Sequence, residues 1–438
     1  MFLNKLMKIL GLFLIALTFA CSVNPVTGEK EIMLMSESEE IQVGQQNYGP
    51  YLQSLNGVYQ NDHVKEYLNS IGLQLVRVSH RPHLPYEFNV ANASMLNAWA
   101  LPGGKIAFTR GLMSEFKSEA QLAAIMGHEI THVTAKHTAS RWTKQVLANI
   151  AMQIGSAYLY SKNEAYRKNY YLYNTAAMFG LNLAFMAYGR AQESQADVIG
   201  MSYAVKAGFD PIGAVEVHQM FQKAFNEQPN GLKELFSTHP QSHKRIETTK
   251  EEINRKYASL RKNKKLTYNT PRFDEIRNIF QKEKPAYKKY DQAQAEAARG
   301  NYQGALPLYI EAVSMKPTEA LFHADLGYAY MMTGQNTKAE NQFRKAHNLY
   351  PGFAKSNLFL GQLKYFQRDY NASIGYLREA DRLLPGSPQV HLMLGEGYEN
   401  TGQTRTAVEY YNSAFKKSQG TDLGNRAYGH LRRLGVAR

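Results

Sequence analysis

The sequence predicts an α+β domain, mainly helical with one small sheet, followed by an all-α repeat solenoid. Three observations predict this organisation. Residues 128–132 read His-Glu-Ile-Thr-His within a helical pattern, two apolar runs at 95–101 and 105–109 flank a turn signal, and the last third of the chain repeats every 34 residues. A chain of 438 residues is long enough for two domains, each with its own hydrophobic core.

Residues 1–20 predict a secretory signal peptide, because two lysines precede an apolar run that is too short to cross a membrane comfortably. Cys21 is the only cysteine of the chain and follows this run. It is interpreted as a lipid attachment site, which makes residues 21–40 a lipid-anchored segment. Ser22 after the cysteine favours the periplasmic face of the outer membrane. An unmodified anchor or a different cleavage point is the alternative.

The apolar runs at 95–101 and 105–109 are separated by Pro-Gly-Gly, which is typical of a β-hairpin. This hairpin directly precedes the His-Glu-x-x-His helix. An open strand beside such a site can pair with an extended peptide, and Lys105, Ile106 and Ala107 are the residues expected to align a substrate. An ordinary hairpin of the core is the alternative.

The His-Glu-x-x-His motif predicts a zinc site on a helix. Apolar residues recur around it at helical spacing, and Ser118 with Gln121 has the spacing of a capping box. Because residues four apart share one helix face, His128 and His132 can bind the same zinc ion. Glu129 then projects beside the metal, where a carboxylate can take a proton from water bound to zinc.

A catalytic zinc site needs a third protein ligand. A closely following histidine, as in His-Glu-x-x-His-x-x-Gly-x-x-His, is excluded because those positions are Ala135 and Thr138. His137 lies one residue before the last histidine position of that motif. It is interpreted as a helix-surface residue or as a support for a metal ligand. Glu193 and Asp197 offer the other option, since they lie four apart on a later predicted helix. Glu193 can face the metal while Asp197 accepts the outer N–H of a ligand histidine; a solvated helix face is the alternative.

Residues 237–246 contain two further histidines and an arginine. A guanidinium is always charged and presents a fork of donors, which suits a substrate carbonyl or the oxyanion of a tetrahedral intermediate. Arg245 is therefore a candidate catalytic residue. The alternative is a polar loop that enters a helix.

The last third of the chain has an internal period of 34 residues. Small residues recur where helices would cross, and proline ends each unit, although Arg368 stands where a glycine is expected. Such a helix-turn-helix unit is typical of tetratricopeptide repeats, which stack into a solenoid. Four repeats are predicted over residues 285–420, with residues 421–438 as a capping helix. The recurring positions are Pro317, Pro351 and Pro385; Gly327, Gly361 and Gly395; Ala312, Ala346, Ala380 and Ala414; and Tyr309, Phe343, Leu377 and Tyr411.

Residues 261–284 are rich in lysine and arginine and are predicted to be a basic linker. With a formal charge of +14, the chain invites comparison with nucleic-acid-binding proteins. That function is rejected, because no recognised nucleic-acid-binding motif accompanies the charge and the chain is expected to be exported. A solvated helical linker is the simplest interpretation, and contact with anionic lipid or lipopolysaccharide headgroups is the alternative.

Several short motifs occur together in one order along residues 24–260. They are N-P-V-T-G at 24–28, N-A at 97–98, P-G-G at 102–104, H-E-x-x-H at 128–132, E-x-x-A-D at 193–197, A-G-F-D-P at 207–211 and S-T-H-P at 237–240. In these motifs the chain resembles the HtpX/BepA-type bacterial zinc metallopeptidases, a gluzincin family.

The resemblance implies a mainly helical zincin domain over residues 41–260 that holds one zinc ion per chain. The implied ligands are His128, His132 and Glu193, with Glu129 as general base. The resemblance also implies that His239 can approach the metal as a regulatory fourth ligand and that Arg245 faces the cleft. A cysteine pair of BepA-like members is missing from this chain, so no disulfide between domains is expected.

The predicted function is that of a periplasmic zinc-dependent endopeptidase. The resemblance implies misfolded or stalled outer-membrane proteins as substrates and docking of the repeats to the outer-membrane assembly machinery. One alternative is a lipid-anchored adaptor or chaperone whose zinc domain is latent or structural. The other is a purely structural lipoprotein that uses its repeats for assembly.

Overall fold

The computed structural model describes residues 21–162, 188–227, 239, 243–263 and 266–436. The predicted signal peptide, residues 1–20, lies outside the described residues. Within them the chain forms two compact units. Unit 1 comprises the described residues up to Tyr48, Asn61–Val90 and the described part of Met95–Arg277; unit 2 comprises Gly49–Gln60, Ala91–Ser94 and the described residues from Asn278.

The described part of unit 1 is mainly helical with two small sheets, which confirms the predicted α+β class. Its strands are β1 (Cys21–Val23), β2 (Lys30–Ile32), β3 (Glu87–Ala91), β4 (Ala98–Leu101) and β5 (Lys105–Thr109). The helices up to the repeat region are α1 (Glu37–Ser54), α2 (Asp62–Val76), α3 (Arg110–Glu115), α4 (Glu119–Thr134), α5 (His137–Lys162), α6 (Arg190–Lys206), α7 (Ile212–Glu227), α8 (His243–Glu252), α9 (Ala258–Asn263) and α10 (Pro271–Ala298). None of the helices in the described part of the chain is both long and apolar enough to cross a membrane.

The larger sheet has the strand order β3-β5-β4, so β5 is its central strand. β4 and β5 form the predicted antiparallel hairpin, with Leu101 opposite Lys105. This topology does not fit the prediction that Lys105, Ile106 and Ala107 align a peptide substrate. β5 is already hydrogen-bonded to a strand on each side, and all five of its residues are buried. Among the described strands, β3 and β4 form the edges of this sheet.

Both ends of α4, the helix that carries the His-Glu-x-x-His motif, are fixed by side chains. Ser118 Oγ accepts a hydrogen bond from the backbone N–H three residues later, at 3.3 Å. At the other end Arg81 Nη1 donates to Val133 O, and Asn24 Nδ2 donates to Ala135 O, each at 3.0 Å. The last carbonyl groups of a helix have no partner inside it. These two buried side chains therefore satisfy them and fix the position of α4.

Unit 2 contains successive helix pairs, which confirms the predicted all-α repeat region. A Cβ on Gly327 would lie only 2.5 Å from the ring of Phe343, and the same relation recurs in the next two repeats. The small residue of each first helix therefore makes room for the large residue of the second. After α10 the helices are α11 (Tyr302–Met315), α12 (Ala320–Met332), α13 (Asn336–Leu349), α14 (Ala354–Phe366), α15 (Tyr370–Leu383), α16 (Pro388–Asn400), α17 (Thr404–Lys417) and α18 (Asp422–Arg433).

Two segments that precede α4 in the chain, Gly49–Gln60 and Ala91–Ser94, belong to unit 2. The Gln53 amide holds a turn between repeats: its Nε2 donates to Gly352 O at 2.8 Å, and its Oε1 accepts from Ala354 N–H at 2.9 Å. The repeat unit therefore includes residues that lie far outside the 34-residue period.

The segment predicted to be a basic linker, residues 261–284, includes the first half of α10. Phe273 and Phe280 are buried, so this helix packs through an apolar face. Before it, Thr267 N–H donates to the carbonyl of Gly208 at 2.8 Å. The structure differs from a solvated linker because charged and apolar residues alternate at helical spacing, and the apolar ones are covered.

Candidate metal centre

The packing of α4 against α6 brings two distant segments of the chain together. α4 supplies His128 and His132, and Glu193 lies in the first turn of α6. The two helices approach most closely at glycines. A Cβ on Gly127 would lie 2.4 Å from Gly200 O, and a Cβ on Gly200 would lie 2.5 Å from the backbone nitrogen of His128. Backbone therefore packs on backbone, which holds Glu193 beside the two histidines.

The donor atoms of His128, His132 and Glu193 converge on one position. The Nε2 atoms of the two histidines are 3.1 Å apart. His132 Nε2 lies 3.4 Å from Glu193 Oε1, and His128 Nε2 lies 3.8 Å from Glu193 Oε2. In a tetrahedral zinc site with bonds of about 2.0–2.1 Å, neighbouring donors are about 3.3 Å apart. The three residues therefore fit a zinc ion.

His239 completes this donor group. Its Nδ1 lies 3.0 Å from Glu193 Oε1 and 3.4 Å from His128 Nε2. All four donor atoms lie within 4.8 Å of one another. Three imidazoles and one carboxylate form a donor set that suits zinc. The structure thus brings the residue predicted as a regulatory ligand to the same point as the three others.

Electrostatics favour the forms that bind a cation at His132 and Glu193, whereas at His128 the effect of burial is outweighed by the neighbouring carboxylates, with a hydrogen bond to Asp197 foremost, which raise the pKa of this imidazole. Burial lowers the pKa of His132 well below its usual value, which keeps this imidazole neutral. Burial would raise the pKa of Glu193, but the charge of His239 and hydrogen bonds from His132 and His239 hold that pKa well below its usual value. Neutral imidazole and ionised carboxylate are the forms that bind metals.

Asp197 supports His128 from the side away from the donor group. His128 Nδ1 lies 3.1 Å from Asp197 Oδ1. Arg245 donates to both oxygens of Asp197, from Nε at 2.7 Å and from Nη2 at 2.6 Å, and its Nη1 lies 2.8 Å from Glu193 Oε2. Burial would raise the pKa of Asp197, but the charges of His218 and Arg245 hold it below its usual value. The Arg245 guanidinium is therefore directed at two carboxylates.

Glu129 is buried beside the donor group. Its Oε1 lies 3.8 Å from His239 Nε2, while no described residue forms a hydrogen bond with its Oε2. Burial raises the pKa of Glu129 above its usual value, against the opposing charges of His239 and His128. A carboxyl group with a raised pKa and an oxygen open to a new partner can take up and release a proton.

A second set of residues surrounds the outer side of His132. His132 Nδ1 lies 2.9 Å from Nδ1 of His137, and His137 Nε2 lies 2.7 Å from Gln195 Oε1. The ring of Tyr188 stacks on His132 with the centroids 3.7 Å apart. Burial lowers the pKa of His137. Of the two interpretations given for His137, the structure agrees with support of a ligand, since the side chain is buried.

A cavity adjoins Glu129 and the donor group. His128, His218 and Arg245 contribute polar groups to its wall, and the rest of the wall is mostly apolar. The main apolar residues are Ala98, Leu112, Ile125, Val217 and Phe221. Ala98 belongs to the edge strand β4, so an edge of the sheet borders this cavity.

Sequence reasoning missed four residues of the site, namely Gly127, Gly200, Gln195 and His218. Gly127 had a usable signal, because an interior helical glycine costs about 1 kcal/mol relative to alanine and therefore needs a packing reason. Gln195 lies inside the E-x-x-A-D motif, two residues after Glu193. No pattern in the sequence marks His218, which lies in the middle of α7.

Residues 62–253 match peptidase family M48, and residues 296–363 match the tetratricopeptide repeat. The mitochondrial metalloendopeptidase OMA1 of Arabidopsis thaliana is 33% identical over 167 residues, covering 38% of this chain and 31% of that protein. The putative beta-barrel assembly-enhancing protease of Vibrio cholerae is 33% identical over 218 residues, covering 48% of this chain and 44% of that protein. The chain therefore spans less than half the length of each of these relatives. The crystal structure of MamA is similar at 21% identity over 33% of this chain and 85% of that chain, with a TM-score of 0.30.

Fold and site together define a mainly helical domain with a metal centre of the His-Glu-x-x-His type, in which a glutamate from a later helix joins the two histidines. More particularly, the match to peptidase family M48 contains all four donor residues of this centre, and the match to the tetratricopeptide repeat lies in the predicted repeat region. The resemblance predicted from the motifs is confirmed, since beta-barrel assembly-enhancing proteases are among the relatives. The predicted zinc cofactor agrees with this family and with the four converging donors.

Proposed function

We propose that this chain is a zinc-dependent endopeptidase. The convergence of the His128, His132 and Glu193 donors on one point, with Glu129 beside them, is the observation that carries this proposal. Two imidazoles and a carboxylate would hold the metal, and the buried carboxyl group of Glu129, whose pKa is raised, is placed for proton transfer. This is the residue set that metal-assisted hydrolysis of a peptide bond needs.

The residues around the metal position have distinct tasks. His128, His132 and Glu193 would hold zinc, which when bound would supply Lewis-acid chemistry toward a substrate carbonyl and a water molecule. Glu129 takes the proton of the attacking water on its Oε2 and returns it to the leaving amine. Its raised pKa favours the second half of this exchange, because a protonated carboxyl group must persist until the amine departs.

His239 gives this enzyme a closed resting state. Its Nδ1 is within 3.4 Å of two donor residues, in the position that water or substrate needs. The side chain must therefore withdraw before hydrolysis. This proposal for His239 comes from the implied regulatory role, and the short distances to Glu193 and His128 support it.

Arg245 acts as a positioning residue in this proposal. Two of the five N–H groups of the guanidinium donate to the oxygens of Asp197, and Nη1 forms an ion pair with Glu193 Oε2 at 2.8 Å. This favours orientation of the ligand Glu193, and of His128 through Asp197, over the predicted contact with an oxyanion. A guanidinium that bridges two acids fixes both more firmly than a lysine would.

The cavity beside Glu129 selects a peptide with an apolar side chain next to the scissile bond. Leu112, Ile125, Val217 and Phe221 offer it an apolar wall. The edge strand β4, which contributes Ala98 to the same cavity, is better suited than β5 to align an extended peptide by strand addition.

The proposed setting is the cell envelope. Lipid attachment at Cys21 would hold the chain on the periplasmic side, with the outer membrane as the proposed location. Misfolded or stalled envelope proteins are the proposed substrates, and the repeats are proposed to dock to the outer-membrane assembly machinery. The support is the predicted signal and the names of the relatives, which include beta-barrel assembly-enhancing proteases.

A second candidate function is that of an adaptor whose metal domain is latent. The observation that favours it is the complete donor group, in which His239 occupies the position needed for turnover. The two candidates differ in their need for Glu129, because only hydrolysis uses a proton acceptor there.

The test is cleavage of an unfolded, fluorescently labelled protein by the chain purified without residues 1–21. We expect activity that a chelator abolishes and zinc restores. Glu129→Gln should remove activity while leaving zinc content unchanged, whereas Glu409→Gln, in an exposed ion pair, should behave as the parent. Activity that survives thorough chelation or Glu129→Gln would contradict the peptidase proposal and leave the adaptor.

A further inference from the structure

His137 is a buried histidine to which the proposed chemistry assigns no task. It is 2% exposed and lies at the start of α5, immediately after the active-site helix. The turn between the helices passes through Lys136, which has a φ of 55° in the left-handed region. In an uninterrupted helix, residues five apart would not face each other. The turn at Lys136 brings the His137 ring back onto His132.

The two hydrogen bonds of His137, with Gln195 and with His132, determine which nitrogen of each imidazole carries the hydrogen. Gln195 Oε1 can only accept, so His137 Nε2 carries the hydrogen that it shares with Gln195 at 2.7 Å. A neutral imidazole has one N–H, which leaves His137 Nδ1 as an acceptor. His132 Nδ1, at 2.9 Å, must then be the donor. The lone pair of His132 therefore lies on Nε2, the atom that faces His128 and Glu193.

Exchanging donor and acceptor in both hydrogen bonds would place the lone pair of His132 on Nδ1 instead of Nε2. If the Gln195 amide turned its NH2 group toward His137, each imidazole would have to shift its hydrogen to the other nitrogen. His132 would then carry a hydrogen on Nε2 and could not bind a metal. The orientation of one glutamine amide thus decides whether this ligand is available.

We infer that His137 and Gln195 are positioning residues that fix the tautomer and ring orientation of His132, and thereby set the affinity of the chain for zinc. This inference rests on the proposed metal centre. The two ligand histidines are then supported differently: His128 by the carboxylate of Asp197, and His132 by a neutral histidine and glutamine. The ring of Tyr188 stacks on His132 and so restricts rotation of the imidazole, which keeps its Nδ1 directed at His137.

The test measures zinc affinity, by competition with a chromophoric chelator, for pairs of variants that differ in the ability to accept a hydrogen bond. His137→Leu and Gln195→Leu remove the acceptors. We expect them to lose about 10–100-fold in zinc affinity, the usual effect of losing a group that orients a metal ligand. His137→Gln keeps an acceptor and Gln195→Glu can only accept, so both should bind zinc about as tightly as the parent.

Two further readouts separate positioning from packing. The absorption spectrum of the cobalt-substituted protein should change in the leucine variants and be restored in His137→Gln. We call the hydrogen-bonded chain from Gln195 through His137 to His132 the relay. Thermal unfolding of the metal-free proteins should be similar for the two variants at position 137 and for the two at position 195, because the relay acts on metal binding and not on the fold. Gln195→Leu keeps His137 in place, so it tests the relay even if His137→Leu folds poorly.

Three outcomes would overturn the inference: leucine variants that bind zinc as the parent does, His137→Gln as weak as His137→Leu, or Gln195→Glu as weak as Gln195→Leu. A parent chain that binds zinc but cleaves nothing would contradict the proposed peptidase function and leave the relay intact. A parent that binds no zinc would overturn both.

Discussion

Gly127 and Gly200 face each other across the interface of α4 and α6, and a Cβ on Gly127 would lie 2.4 Å from Gly200 O. Gly127 directly precedes the first ligand histidine, and Gly200 lies on the helix that carries Glu193. The distance between the two helix backbones at this point determines whether Glu193 can reach the histidines. The metal centre therefore depends on two residues with no side chain.

Gly200→Ala should push α6 away from α4 and weaken zinc binding. Overpacking of a close helix contact costs about 1–3 kcal/mol of stability, and the displacement moves Glu193 away from the other donors. Zinc titration and thermal unfolding of the metal-free protein measure the two effects. Gly375→Ala is the matched control, since a Cβ there meets nothing within 4 Å and it should stabilise its helix slightly. Unchanged zinc affinity in Gly200→Ala would show that the interface can relax without moving Glu193.

His239→Ala should increase peptidase activity at saturating zinc. His239 Nδ1 lies 3.0 Å from Glu193 Oε1, so its removal opens the position that substrate needs. If the closed state is populated to about 90%, the gain is on the order of tenfold. Cleavage rates must be compared at equal bound zinc, because the variant loses one donor. A variant with full zinc content and no gain in rate would rule out the closed resting state.

Phe221→Ala should change which peptides are cleaved. Phe221 forms part of the apolar wall of the cavity beside Glu129, and its truncation makes room for larger side chains. We expect the ratio of kcat/KM for peptides with Phe and Val at the adjacent position to shift about tenfold toward Phe. Mass spectrometry of a digested peptide mixture would measure the preference. Phe225→Ala, at a residue that is 44% exposed on the same helix, should leave the ratio unchanged.

Arg368→Gly should stabilise the repeat unit. Arg368 has a φ of 63°, whereas glycines take this conformation at the equivalent positions 300, 334 and 402. A left-handed conformation costs a residue with a side chain about 1–2 kcal/mol. Replacing it with glycine removes this cost, but the unfolded chain gains conformational entropy, which offsets part of the stabilisation. We therefore expect a net gain of about 1 kcal/mol, read from denaturant unfolding. Gly334→Ala should have the opposite effect, and a loss of stability in Arg368→Gly would contradict the strain argument.

Much of the site could be predicted from local spacing. The i,i+4 relation places His128 and His132 on one helix face, and it does the same for Glu193 and Asp197. The 34-residue period identified the repeats because each unit uses the same small and large residues at its helix crossing. The observed helices at these positions have the predicted class.

Other features depend on contacts that no spacing encodes. Lys105, Ile106 and Ala107 were predicted to meet substrate, but strand order made β5 the central strand of the sheet. The direction of the Arg245 guanidinium, toward two carboxylates, is likewise a result of how α8 packs. Gln53 supports a turn between repeats through Ala354, which lies 301 residues further along the chain.

The sequence by itself determined which residues have metal chemistry and which helix faces carry them, because helical periodicity relates neighbours within one element. The tertiary structure alone decided that α4 and α6 meet at Gly127 and Gly200, and that His137 turns back onto His132. Those relations are set by the packing of separate elements and by one left-handed turn. Packing is a property of the whole chain, so a local pattern cannot specify it.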